Sequence, residues 1–435
     1  MSPLNNEKNG FHKFVSEDLK GLKLIFRSVS HRNYRLFFGG QGISLIGTWI
    51  QQLAMSRLVY RMTNSAFLLG VVGFTGQIPS FLLAPFAGVL IDKWNRHRIL
   101  ILTQSLAMIQ AFLLSALDLT GKIAIWHIIL LSLFLGLVNA FDMPTRQAFV
   151  VEMVENSEDL GNAIALNSLL FNGARLLGPS IGGILISLVG EGLCFLLNGL
   201  SFIAVIIALL AMKVKKPTVR SQTSHITKGL KEGFTYTFGF PPIRVLLLLL
   251  GLVSLAGMPY TVLMPIFAKN ILQGGPHTLG FLMGASGIGA LVGAICLASK
   301  KNVLGLGRLI IIALNIFGIG LIAFALSRIL SLSLILMVLV GFGMMVQMAS
   351  SNRIIQTIVE EDKRGRVMSF YTMAFMGMAP FGSLLAGSVA SKIGAPNTLI
   401  IGGASCILGS FIFAKKLPLI REMVRPIYLE KGIIS

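Results

Sequence analysis

Acidic side chains are scarce in this chain: 17 of 435 residues are Asp or Glu, against 37 Lys and Arg. None of them falls near the centre of a long apolar run. No His-Glu-x-x-His, His-Asp pair or carboxylate cluster occurs, which leaves an integral membrane enzyme as a remote alternative. Cysteine is rarer still. Cys194, Cys296 and Cys406 lie in apolar segments without metal-ligand or redox spacing and read as small core residues, so no metal site is expected. No Gly-x-x-x-x-Gly-Lys-Ser/Thr loop is present, so ATP is not the direct energy source and no cofactor is called for.

What the chain has in abundance is apolar surface. Apolar residues make up 54% of it, charged residues only 12%, and the mean hydropathy is +0.80. Many runs reach the ~20 residues that span a bilayer, which excludes a soluble domain. Twelve such runs can be read: 34–60, 65–92, 97–118, 124–145, 162–189 and 191–212, then 243–268, 277–299, 307–326, 329–350, 364–390 and 396–415. The expected fold class is an all-α membrane protein of twelve transmembrane helices.

A net charge of +20 invites a nucleic-acid reading, and the placement of the charge removes it. Twelve crossings put both termini on one side. Only Arg57, Arg61, Lys122, Lys269, Arg328 and Lys392 fall on the other side, with Arg175 inside the fifth run. By the positive-inside rule both termini are cytoplasmic and the lipid bilayer is the partner. The N-terminal residues 1–33 lack a secretory signal pattern. Phe14, Leu19, Leu22, Ile25 and Phe26, set among Lys13, Lys20, Lys23 and Arg27, suit either a short helix on the membrane surface or a disordered basic tail.

The one long polar interior stretch, 213–242, divides the runs six and six, giving bundles at 34–212 and 243–415 and a tail at 416–435. The halves repeat. At a displacement of about 210 residues Leu69-Gly70 meets Leu279-Gly280, Asp92 meets Asn302 and Arg98 meets Arg308. With a slightly smaller shift Arg146 meets Arg353, Gly161 meets Gly365 and Pro179 meets Pro380. The second bundle is therefore a pseudo-symmetric copy of the first.

Between the second and third runs lies Gly88-Val89-Leu90-Ile91-Asp92-Lys93-Trp94-Asn95-Arg96-His97-Arg98. This stretch resembles the loop motif of the major facilitator superfamily, and the parallel six-plus-six repeat fits that superfamily. The resemblance implies a conformational latch at Gly88, Asp92, Arg96 and Arg98, decayed in the second copy where Asn302 replaces the acid. In the first run Gln41, Ser44, Thr48 and Gln51 share a helical face, which in lipid must look into protein or a watery cavity. The resemblance implies that the first, fourth, seventh and tenth runs line the substrate cavity, through Gln41, Thr48, Gln51, Gln52, Asn139, Tyr260 and Gln347. Interhelical hydrogen bonding is the alternative.

The fifth run carries Asn172, Arg175, Gly178, Pro179, Gly182 and Gly183. Its Gly-Pro-x-x-Gly-Gly resembles the motif of antiport-type exporters, a hinge, with a proline-kinked packing helix as the alternative reading. Arg175 is the one basic residue deep in a run. It either attracts an anionic substrate or holds Asn172 and backbone carbonyls. Asp142 is the best acid for proton coupling, but Arg146 one turn on favours its charged form, so a structural pair at the cytoplasmic gate is expected. Arg353 is the repeat counterpart of Arg146.

The runs Pro144-Thr145-Arg146-Gln147-Ala148-Phe149, Leu160-Gly161-Asn162-Ala163 and Asn33-Tyr34-Arg35-Leu36-Phe37 are similar to the branch holding bacterial enterobactin exporters and macrolide efflux proteins. That likeness implies a secondary transporter of the bacterial inner membrane, acting as a monomer. It would export a bulky amphipathic small molecule, a siderophore or a drug, by proton antiport. An importer or a lysolipid flippase of the same fold is the alternative.

Overall fold

A computed structural model of the protein describes residues 27–154, 157–213, 226–300, 302–361 and 363–434. Its helices are α1 (Arg32–Thr63), α2 (Ala66–Lys93), α3 (Arg96–Leu119), α4 (Ile125–Met153), α5 (Ser157–Leu210), α6 (Ile226–Gly239) and α7 (Pro241–Leu252). The chain continues through α8 (Tyr260–Ile266), α9 (Pro276–Ala298), α10 (Leu306–Leu326), α11 (Leu330–Ile358), α12 (Arg364–Met376), α13 (Ala379–Ile393) and α14 (Ala395–Glu430). No strand occurs among the described residues. A bilayer demands this, because only a helix or a closed barrel satisfies its own backbone there.

Among the described residues ten helical stretches are long and apolar enough to cross a membrane. One of them, α5, is two crossings in series, since Gly190 breaks it with φ 81° and ψ 176°. The remaining crossing is α1, whose 32 residues carry a polar face that lowers its hydropathy without shortening it. Gly394, with φ 85° and ψ 156°, makes the matching junction between α13 and α14. At both places a positive φ turns the chain at a single residue, a conformation that glycine adopts without steric cost.

Several ends differ from the hydropathy reading. α4 and α11 run on to Met153 and Ile358, past the expected ends at 145 and 350, and α14 takes in most of the expected tail. Hydropathy marks where hydrocarbon stops, whereas helix hydrogen bonds continue into water as long as one face has something to pack on. The seventh crossing is composite: π-helical segments Val253–Gly257 and Phe267–Ile271 flank α8, beside Pro259 and Pro265. α6 occupies part of the linker. The expected surface helix before Arg27 and the basic stretch 214–225 lie outside the described residues.

In the first half α1 packs on α5, α2 on α4, and α3 on both α4 and α5; in the second, α9 and α10 pack on α11, and α10 also on α14. Two seams join the halves, the first limb of α5 against α9 and α2 against α13. Both are made at glycines. A Cβ on Gly183 would lie 2.9 Å from the Cα of Gly280, and one on Gly70 would lie 3.0 Å from the Cα of Gly387. Backbones this close need small residues on both sides.

Gly183 and Gly387 lie late in their crossings, Gly70 and Gly280 early, so both seams sit at the end of the molecule away from the termini. Toward the termini Gly287 still rests on Leu176 and Gly377 on Phe81. Beyond these points α12 packs on α6 and α7, and Gly161, Gly173 and Gly365 face open space. Among the described residues the close contacts between the halves gather toward the end away from the termini.

Candidate functional site

The first limb of α5 uses its glycines on two sides. Gly178 abuts Trp49 and lies close to the Ile46 carbonyl, and Gly182 faces the backbone of Ile50, so α1 and α5 nearly touch; Gly183 turns to α9. Pro179 has no N–H, so the carbonyl of Arg175 lacks the donor that a regular helix would supply. Arg175, one turn before Gly178, reaches into the space between the halves. Its guanidinium has Met344 Sδ of α11 at 3.9 Å and the Trp49 ring centroid at 6.0 Å. Phe171 meets Trp49 edge-on at 6.1 Å. Asn172 donates to the Ser168 carbonyl of its own helix at 2.8 Å. One turn beyond Met344, buried Gln347 donates to Ser351 Oγ at 3.4 Å, and its amide oxygen has no partner.

The polar face of α1 is split by its neighbours. Gly40 and Gly47 face the second limb of α5, while Trp49 and Ile50 face the first. Gln51 is enclosed on the second-limb side. It donates to Gln110 Oε1 at 3.0 Å and accepts from Asn198 Nδ2 at 2.8 Å, and Gln110 donates to the Leu131 carbonyl at 3.3 Å. This chain ties α1, α3, α4 and α5 together. Gln41, Thr48 and Gln52 lie on the remaining side of α1; Gln41 is buried, Thr48 and Gln52 exposed. Asn139 is half-buried on α4. Tyr260 is fully buried within the second half, its hydroxyl 2.8 Å from Ser286 Oγ and its ring edge-on to Phe317.

At the closed end polar groups reinforce the glycine seams. Asn270 Nδ2 donates to the Tyr60 hydroxyl at 2.6 Å, and Lys269 Nζ donates to Asn64 Oδ1 at 2.7 Å while lying over the Tyr60 ring. Beside them the buried carboxylate of Glu191 pairs with Arg57 and, at 3.3 Å, with Arg61. A hollow opens there between Arg57, Tyr60, Arg61, Pro265 and Lys269. Trp49, Tyr60, Asn64 and Asn270 gave no signal in the sequence, because each meets a partner more than a hundred residues away.

At the end that carries the termini Asp142 is buried. Its carboxylate accepts from Thr103 Oγ1 at 2.8 Å and Gln104 Nε2 at 2.7 Å and pairs with Arg146. Arg353, the counterpart of Arg146, instead donates to the Lys300 carbonyl at 2.6 Å, just past the last turn of α9. Gly88 and Asp92 belong by backbone to the last turns of α2, and the Asp92 side chain lies outside the described residues. Arg96 pairs with Glu152 at 2.8 Å and His97 Nε2 donates to the Leu209 carbonyl at 2.8 Å, both within the first half. Arg98 is exposed, its N–H capped by Asn95. Among the described residues no three His, Cys, Asp or Glu side chains converge as metal ligands.

The sequence profile of the family described as "Transmembrane secretion effector" matches residues 26–425. The chain is similar to the staphyloferrin A transporter of Staphylococcus aureus, 25% identical over 382 residues that cover 87% of this chain and 95% of that one. It is also 25% identical over 386 residues to the multidrug efflux pump Tap of Mycolicibacterium fortuitum, covering 87% and 93%. In three dimensions it matches a bacterial homologue of the iron transporter ferroportin in its inward-facing state. The TM-score is 0.67 at 17% identity, over 88% of this chain and 98% of that one.

Proposed function

We propose, from the premise that this chain belongs to the transmembrane secretion effector family of the major facilitator superfamily, that it exports a bulky amphipathic small molecule by proton antiport. Members of this family and the relatives above are transporters, not enzymes. A siderophore or a drug is the cargo, the two classes that the relatives' names carry. Residues 34–212 and 243–415 act as the two rocking bodies, joined by 213–242, in a monomer of the bacterial inner membrane with both termini cytoplasmic.

The observation that carries the alternating-access reading is the one-sided closure. Among the described residues two glycine seams and two cross-half hydrogen bonds gather at the end away from the termini, and we read the other end as open. With the basic residues at the termini end, that end faces the cytoplasm, and the conformation is the one that loads cargo for export. Thr48 and Gln52, exposed on the free side of α1, and Arg175 are the cargo contacts; Asn139 and Gln347 border the same space. Gln51 and Tyr260 hold helices together. Gly88, Asp92, Arg96 and Arg98 engage the other half when the cytoplasmic end shuts. Gly178, Pro179, Gly182 and Gly183 form the hinge.

The test is purified protein in liposomes loaded with a fluorescent amphipathic dye under an imposed pH gradient. Gradient-dependent efflux is expected. Efflux indifferent to the gradient removes proton antiport, and gradient-driven uptake reverses the direction.

A further inference from the structure

We infer that the cargo carries a negatively charged group that pairs with Arg175, beside an apolar ring that lies against Trp49. This inference rests on the transporter reading above and names its substrate class. A guanidinium keeps its charge in any protein environment, and placed at the depth of a membrane span it requires a compensating partner. The compensation offered by the protein is weak. Among the described residues no carboxylate pairs with Arg175 and no backbone carbonyl accepts from it. Its neighbours are a thioether at 3.9 Å and an indole at 6.0 Å, the outer limit of a cation–π contact.

The structural role left open by the sequence needed Asn172 or nearby carbonyls. Asn172 is turned to the Ser168 carbonyl instead. The arginine is thus a charge held ready, close to the open space between the halves and not tied into either one.

Among the described residues the acids buried in the membrane-spanning helices are occupied elsewhere. Asp142 has Arg146, Thr103 and Gln104 on its carboxylate. Glu191 and Asp118 are at the closed end, bound to Arg57 and Arg61. The central space therefore carries a positive potential that low-dielectric walls strengthen, drawing an anion in and repelling a cation. Trp49 and Phe171 give the wall beside the charge an aromatic surface. One turn along α11 from Met344, the Gln347 amide oxygen waits without a donor, matched to a hydroxyl or N–H next to the anionic group. A carboxylate or similar oxyanion that has an apolar ring on one side and a hydroxyl or N–H on the other satisfies all three. An amphipathic cation leaves the Arg175 charge uncompensated and is repelled by it.

Three dyes that share one ring system separate the head group from the rest: dansylglycine is anionic, dansylamide neutral and dansylcadaverine cationic. Their binding to the full-length protein in lipid nanodiscs is read by dansyl emission excited through tryptophan. Dansylglycine is expected to bind at least about tenfold more tightly than dansylcadaverine, a difference of ~1.4 kcal/mol. Arg175→Gln should bring the two within about twofold of each other, and Arg175→Lys should keep the preference. Equal binding, a reversed order, no binding by any of the three, or a preference that survives Arg175→Gln overturns the inference. If Arg175→Gln does not fold, as judged by gel filtration, the wild-type order and the Arg175→Lys variant decide. Gradient-driven efflux of a cationic drug that ignores Arg175→Gln would leave the exporter standing and remove the anionic cargo. A dansylglycine preference without any efflux would do the reverse.

Discussion

Replacing Gly183 with valine should open the closed end. A Cβ there would lie 2.7 Å from the Pro276 carbonyl oxygen and 2.9 Å from the Gly280 Cα, where non-bonded atoms prefer about 3.5 Å or more. α5 and α9 must then part by about 0.7 Å for one methyl, and further for the branched side chain. Overpacking of this kind costs about 1–3 kcal/mol. The seam exists only while this end is shut, so the whole penalty falls on that conformation. A shift of about 2 kcal/mol moves the equilibrium between conformations roughly 30-fold. The assay is maleimide labelling of a cysteine placed at Leu279, which is 2% exposed at the seam, after Cys194, Cys296 and Cys406 are replaced. Labelling should accelerate by about that factor with Gly183→Val and by less with Gly183→Ala. Folded Gly183→Val protein that labels no faster than its parent would refute the assignment of this seam as the closed gate.

Tyr60→Phe removes the hydroxyl that accepts from Asn270; losing about 1 kcal/mol of cross-half bonding should raise the same labelling rate roughly fivefold. Asp142→Ala leaves Arg146 without its counter-charge and Gln104 without an acceptor. The expected loss is about 3–5 kcal/mol of stability, seen as a lowered unfolding temperature in detergent, and an unchanged unfolding temperature would show that the network is not structural. Gly190→Ala places a Cβ on a residue with φ 81°; about 1–3 kcal/mol of strain should lower thermal stability, with Gly394→Ala behaving alike.

The membrane class, the crossings and the internal repeat were legible because each rests on local composition or on comparing the chain with itself. A run of apolar residues reports hydrocarbon directly. Helix ends were less legible: α4 continues through Arg146 and Glu152, residues that hydropathy scores as loop, because its inner face still has Asp142 and Phe149 to bury. The polar face of α1 was visible as a face, but which neighbour met it was not. Gln51 and Thr48 share that face by helical angle, yet the second limb of α5 covers one and leaves the other open. Sequence periodicity gives a direction around a helix and nothing about what stands there. Tyr60 and Asn270 could not be paired from sequence, since the contact depends on how two bodies meet in one of their conformations.

The repeat explains why closure takes the form it does. Gly70 and Gly280 are equivalent positions in the two halves, and each begins a seam, with Gly387 and Gly183 respectively. The two seams are therefore one contact used twice, α2 on α13 and the first limb of α5 on α9, as a two-fold relation between halves requires. Symmetry ends at the opposite end. Arg146 pairs with Asp142 inside its own half, whereas Arg353 has Ala349 one turn before it and donates to the Lys300 carbonyl just past α9. The loop sequences at that end are unlike in the two halves, since Asn302 stands at the position equivalent to Asp92. The proposed latch at Gly88–Arg98 is built on charge and the seam at the other end on glycine, so the two should respond to different perturbations. Salt should weaken the first, because charges in contact with water are screened, and leave the second unchanged.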